Sequence, residues 1–313
     1  ADFLDVAVDV VEKFVPKGSL VVSTRGRRPE TEKKYTATEE PMLVDVPVVV
    51  IVNHGSASAS EIVAGALQDH DRAVILGTRS FGKGLVQTIS PLMYNAQLKI
   101  TTAKYYTPSG RCIQEIDYQH KNNDGVFAIT PDSLRHQFKT LKGRPEYELG
   151  GITPDTNVAE AEQSAIYKEL LRKSMIFKFA TRYVAANKES TTTFNSDVLL
   201  SGLQKFIDEQ KFTFQEEGDT KLGEFREIAD KSKYSSVVFD EIDRLKTQLA
   251  KEKANAIQRN KAEILEAMKM EIMSRYHGEH GRIEASMEGD VQLQSAKHLL
   301  LDPKGYKRRL SGK

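Results

Sequence analysis

The sequence predicts an α/β domain followed by a mainly helical one, and three observations support this. Residues 47–52 (PVVVIV) form an all-apolar run. A glycine turn follows, then a stretch with Ile62, Val63, Ala66 and Leu67 on one side, then a second apolar run at 73–76. Strand, turn, helix and strand in so few residues make a βαβ unit, which implies a parallel pair with a right-handed crossover. Beyond about residue 160 the strand signals stop and helical periodicity takes over. The 313 residues suit one large or two smaller domains at roughly 100–200 residues each. The expected division is 1–160 and 161–313.

Taken in order, the chain opens in a helical pattern, with Leu4, Ala7, Val10, Val11 and Phe14 on one face. The chain starts Ala-Asp-Phe-Leu and enters this pattern with no basic or apolar leader, so the reading expects a piece of a longer protein. A short β-rich run at 19–23 follows the Pro16-Lys17-Gly18 turn, and 24–46 is polar and irregular. The 47–52 run, apolar throughout, reads as a strand buried on both faces. Residues 97–103 alternate as a half-buried strand does. In the second half, Ile166, Leu170, Phe177, Ala180 and Tyr183 mark one amphipathic helix. A long charged helix is expected from 237 to 276, with a register slip between Leu249 and Ile264 that argues against a coiled coil. A short helix at 298–301 precedes a basic tail.

Composition narrows the function. With 45 Lys plus Arg against 44 Asp plus Glu, the chain lacks the strongly basic footprint of a nucleic-acid binder. A single Cys excludes an intrachain disulfide framework and a cysteine-based zinc cluster. No apolar run approaches the roughly 20 residues that cross a bilayer.

The residues that can carry chemistry lie between 53 and 114. Ser58 follows a strand and a glycine turn and opens a helix, and Ser58-Ala-Ser-Glu61 fits a capping box. One reading is a plain N-cap. The other is a nucleophile whose oxyanion is held by free N–H groups of the helix N-terminus, Ala59 first. Lys83 stands in Gly82-Lys83-Gly84 between two apolar elements. It is either a surface lysine or a partly desolvated base, because burial favours the neutral amine. Residues 77–84 (GTRSFGKG) nearly match a nucleotide-binding G-x-x-x-x-G-K-[ST] loop, but Gly84 has no hydroxyl and the next residues read as a strand. His54 is near enough to serve Ser58. His70, about three turns along the helix at 1.5 Å per residue, is too far.

Four strings together resemble the carboxyl-terminal processing peptidases, the tail-specific serine proteases of family S41. They are 53–70 (NHGSASASEIVAGALQDH), 77–87 (GTRSFGKGLVQ), 99–111 (KITTAKYYTPSGR) and 150–155 (GGITPD), and they span about the first half of the chain. The resemblance implies a partial catalytic core of the crotonase and Clp-peptidase α/β type, followed by a helical C-terminal domain. It implies Ser58 as nucleophile, Lys83 as general base 25 positions later, Gln87 as the residue that orients the lysine, and Ala59 as an oxyanion donor. No metal or cofactor is implied. The implied partners are protein or peptide substrates held by their C-terminal tails, with no nucleic acid. The implied location is the periplasm or cell envelope. Family members carry a PDZ domain and a glycine-rich turn ahead of the first helix, and this sequence begins just past them. Cys112 stands where family members often have Ser and reads as a small packed residue. The helical half is expected to serve packing or homo-oligomerisation. The alternative to a peptidase is a degenerate, non-catalytic scaffold of the same fold.

Overall fold

The structure is a computed structural model and describes residues 3–121, 127–129, 133, 135–188 and 194–311. Asp2, which with Phe3 matches the start of the family's helix in the resemblance, lies outside the described residues. The chain forms two compact units, one of 1–160 with 291–313 and one of 161–290.

In the first unit, helix α1 (Phe3–Glu12) buries Ala7 and Val11. Strands β1 (Leu20–Gly26) and β2 (Lys33–Thr36) follow, so the polar 24–46 segment carries a strand of its own. Next come β3 (Val49–Val52), α2 (Ala59–Asp69) and β4 (Val74–Gly77). Strands β3 and β4 pair in parallel, Val49 with Val74 through Val52 with Gly77. Strands β5 (Leu85–Pro91) and β6 (Gln97–Tyr106) form an antiparallel ribbon. Two short ribbons follow, β7 (Ile116–Lys121) with β8 (Phe127–Ile129), and β9 (Gln137–Lys139) with β10 (Pro145–Tyr147). Strand β11 (Thr156–Asn157) pairs in parallel with β4. The sheets are therefore β11-β4-β3 and β2-β1-β6-β5. Val11, Val21, Ile62, Leu67, Ile75 and Ile152 are among the residues that close the core between them. Each such side chain contributes about 1.5–3 kcal/mol by leaving water.

Burial departs from the sequence pattern where a strand lacks neighbours. β4 is buried throughout because it has a partner on each side. β3 has one partner, starts at Val49 rather than 47, and leaves Ile51 37% exposed. The expected burial of this strand on both faces is therefore corrected. Likewise 97–102 of β6 are exposed rather than half-buried, because β1 pairs only with 103–106.

The second unit is helical: α3 (Ala165–Arg172), α4 (Met175–Ala186), α5 (Ser196–Glu209), α6 (Glu217–Lys231), α7 (Ser236–Ala254), α8 (Ala256–Arg259) and α9 (Lys261–Ser286). Its core includes Leu170, Ile176, Leu203, Ile264, Met268 and Ile272. The single helix expected over 166–183 is broken at Ser174, whose left-handed φ of 56° and ψ of 32° turns the chain back. The long helix expected over 237–276 is broken at Asn255 and Asn260, which lie outside helical geometry. Asn serves such breaks because its side chain offers the backbone a local alternative to the helix.

The end of the chain belongs with the first unit rather than with these helices. Helices α10 (Val291–Leu300) and α11 (Pro303–Ser311) replace the short helix and tail expected from sequence. Leu299 and Tyr306 pack on Val74. The Tyr306 hydroxyl accepts from the Val48 N–H and lies 2.9 Å from the Val48 carbonyl, fastening the residue that leads into β3.

Candidate active site

Ser58 is the N-cap of α2 and is half-buried. Its backbone sits at φ 59° and ψ −115°, a region a non-glycine residue enters only under strain. A residue held there costs on the order of 1–3 kcal/mol, and such strain clusters at active sites. Its source is the sharp turn between β3 and α2, where Ser56 accepts from the Phe81 N–H and donates its own N–H to Asn53. Ala59 is the first helical residue, so its N–H has no carbonyl one turn back to bond.

The turn is held by Glu61, which is fully buried. Its Oε2 accepts from the Ser58 N–H at 2.9 Å and from the Lys83 N–H at 2.8 Å. Its Oε1 accepts from the Gly82 N–H at 2.6 Å and from the Ser80 hydroxyl at 2.5 Å. Four donors on one carboxylate satisfy a buried charge without a cation. Sequence reasoning took Glu61 only as the fourth position of a capping box. The signal was present in S-x-x-E, but its long-range partners were not.

Lys83 and Gln87 both line a cavity of about 830 Å³, together with Phe81, Leu85, Thr101 and Lys104. Gln114, Glu115, Ile116, Tyr118 and Leu149 also line it. Ser58 is not among the lining residues. The Lys83 and Gln87 side chains are exposed, which corrects the expected desolvation of the lysine. The flanking glycines serve the protein's own packing. A Cβ at Gly82 would meet Glu115 Cβ at 2.5 Å, and one at Gly84 would meet the Gln114 backbone nitrogen at 2.7 Å. The Gly84 N–H donates to Gln114 Oε1 at 2.8 Å. The loop runs into β5, so the strand-to-loop-to-helix context of a nucleotide-binding loop does not form. His54 packs against Phe81 with ring centroids 5.4 Å apart and the rings tilted by 35°. Cys112 is buried, and that burial pushes its thiol up, the reverse of a reactive cysteine.

These features define a class, an α/β domain with a strained serine at the head of a helix and a lysine-bearing cavity on the adjoining loop. Residues 3–132 match Peptidase family S41, and residues 166–300 match the C-terminal helical domain of a probable PDZ-protease. A carboxy-terminal-processing protease of Bartonella bacilliformis is 51% identical over 134 residues, covering 43% of this chain and 28% of that protein. A carboxyl-terminal-processing protease of Synechocystis is 41% identical over 113 residues, covering 36% of this chain and 26% of that protein. A chloroplastic carboxyl-terminal-processing peptidase 1 of Arabidopsis thaliana is 40% identical over 102 residues, or 33% and 21%. The similarity to the S41 peptidases lies over residues 3–132. It spans between a fifth and three tenths of the length of these relatives.

Proposed function

We propose that this chain carries the Ser-Lys chemistry of a carboxyl-terminal processing protease. In this reading the Ser58 Oγ attacks a substrate peptide carbonyl while neutral Lys83 Nζ takes its proton. The Ala59 N–H donates to the oxyanion, and Gln87 orients the lysine. Lys83 then gives the proton to the leaving amine, and water releases the acyl group. One observation carries the proposal: the strained Ser58 peptide and the Lys83 peptide are bound to one carboxylate oxygen, Glu61 Oε2. A peptide seated in the cavity beside Lys83 would remove water from the ammonium and favour the neutral base. The substrates on this reading are proteins held by their C-terminal tails, in the periplasm or cell envelope.

The test is peptide turnover by the full-length protein. Ser58→Ala and Lys83→Ala should each remove nearly all of it, because members of such a unit fail together. Lys83→Arg should fail as well, since a guanidinium cannot accept the proton. Substantial turnover by Lys83→Arg would overturn the base assignment. Turnover absent from the unsubstituted protein, with no Ser58 labelling by a fluorophosphonate, would favour the non-catalytic scaffold.

A further inference from the structure

The chemistry around Ser58 uses one end of α2 and leaves the charges at the other end unexplained. Gln68, Asp69 and Asp71 at the helix C-terminus, Arg111 after β6, and Arg144 and Glu146 of the β9–β10 ribbon are all buried there. Asp155, just before β11, joins them. Arg111 Nη2 donates to Gln68 Oε1 at 2.6 Å and lies 3.0 Å from Asp69 Oδ1, while its Nη1 is 3.4 Å from Glu146 Oε2. Arg144 Nε donates to Asp71 Oδ1 at 2.6 Å, its Nη2 donates to the Gln68 carbonyl at 3.0 Å, and its Nη1 pairs with Asp155. Arg111 and Asp155 belong to two of the sequence strings that the dyad chemistry does not use.

Four carboxylates thus face two guanidiniums at the negative end of a helix. Fully ionised, the set would bury uncompensated negative charge, which is strongly unfavourable. A proton on one carboxyl relieves part of that excess, and the hydrogen-bond geometry singles out Glu146. Asp69 accepts the Ser109 N–H, Asp71 the Lys142 N–H and Asp155 the Ile75 N–H, so each of these carboxyls has a backbone donor. Among the described residues, the one hydrogen-bond donor to the Glu146 carboxyl is Arg111, at 3.4 Å.

We propose that this cluster is a proton-dependent latch on the C-terminal end of α2. Protonated Glu146 leaves Arg111 to Asp69 and Gln68, and ionised Glu146 draws Arg111 away and loosens the helix that carries Ser58. Burial is the main influence that pushes Glu146 up to about 7. Arg111 and Arg144 oppose it, and Asp155 and Asp69 add to it. Asp71 faces the cluster through Arg144 from the turn just after α2, and the His136–Glu148 pair lies farther along the β9–β10 ribbon. The folded value lies above the ordinary 4.5, so the stability Glu146 contributes is full below about 4.5 and lost as pH rises through about 7. The latch stands apart from the proposed function, and only its bearing on catalysis rests on Ser58 being the nucleophile.

The test is hydrogen–deuterium exchange of the full-length protein at pH 5.5 and 8.0, corrected for the chemical rate. Segment 59–71 should lose about tenfold or more of its protection at the higher pH, one decade per unit of linked protonation. Segment 196–209 should not change. Glu146→Gln, neutral throughout, should keep the low-pH protection at both values. Equal protection of 59–71 in the unsubstituted protein at the two pH values would overturn the latch, as would an undiminished loss in Glu146→Gln. Fluorophosphonate labelling of Ser58, measured alongside, should slow between pH 5.5 and 8.0 relative to Glu146→Gln. No labelling at either pH, with the exchange difference intact, would remove the link to catalysis and leave the latch.

Discussion

Ser58 and Lys83, 25 positions apart in the chain, donate their backbone N–H groups to the same atom, Oε2 of Glu61, at 2.9 and 2.8 Å. The two peptides are thereby held within two hydrogen-bond lengths of each other. The separation is set by backbone rather than by mobile side chains, and it passes through a fully buried carboxylate.

Glu61 is therefore expected to be the most sensitive position of the site to substitution for stability. Glu61→Gln keeps the shape but turns one acceptor oxygen into a donor that faces two donors, at a cost of about 2–5 kcal/mol. Glu61→Ala leaves four donors unpaired and should cost more. Urea unfolding at neutral pH measures both, and an unchanged midpoint for Glu61→Gln would show that the carboxylate is not the brace described.

Gly77 ends β4 at φ +124°, and a Cβ there would stand 2.0 Å from the Val52 carbonyl oxygen. Gly77→Ala should push β3 from β4 and cost more than about 3 kcal/mol, in the range of overpacking combined with backbone strain. Gly18 has a φ of +84° with open space around it. Gly18→Ala should cost only about 1–2 kcal/mol, the left-handed backbone penalty alone. Thermal unfolding of the two variants side by side separates the contributions.

Tyr306→Phe removes the hydroxyl that meets both polar groups of Val48. The Val48 N–H is then left without its partner at a partly buried position, which should cost about 1–2 kcal/mol. Denaturant unfolding checks this, and a neutral substitution would mean that α11 holds β3 by apolar contact alone.

The His54 ring packs at a tilt against Phe81, and the proposed mechanism gives its nitrogens no role. His54→Ala in the full-length protein should lower peptide turnover by less than about tenfold, far less than loss of a unit member. A loss as large as that of Ser58→Ala would revive a histidine-based triad.

The sequence by itself determined the βαβ unit, the serine at the head of its helix, the loop that carries Lys83, and the family strings. These are local features, where a turn, a cap or a short apolar run is decided by residues adjacent in the chain. Tertiary structure decided what depends on neighbours distant in sequence. β4 is buried and β3 partly exposed, although both read as apolar runs, because only β4 has a strand on each side. The helices expected over 166–183 and 237–276 break at Ser174, Asn255 and Asn260, residues whose weak helix preference the apolar periodicity alone does not register. Helices α10 and α11 return to the first unit because Leu299 and Tyr306 find their apolar surface on Val74. Glu61 reads as a cap in S-x-x-E, and only folding brings it the Ser80, Gly82 and Lys83 donors. The ion cluster at the far end of α2 joins residues from 68 to 155. A buried charge is settled by partners that no local window of sequence contains.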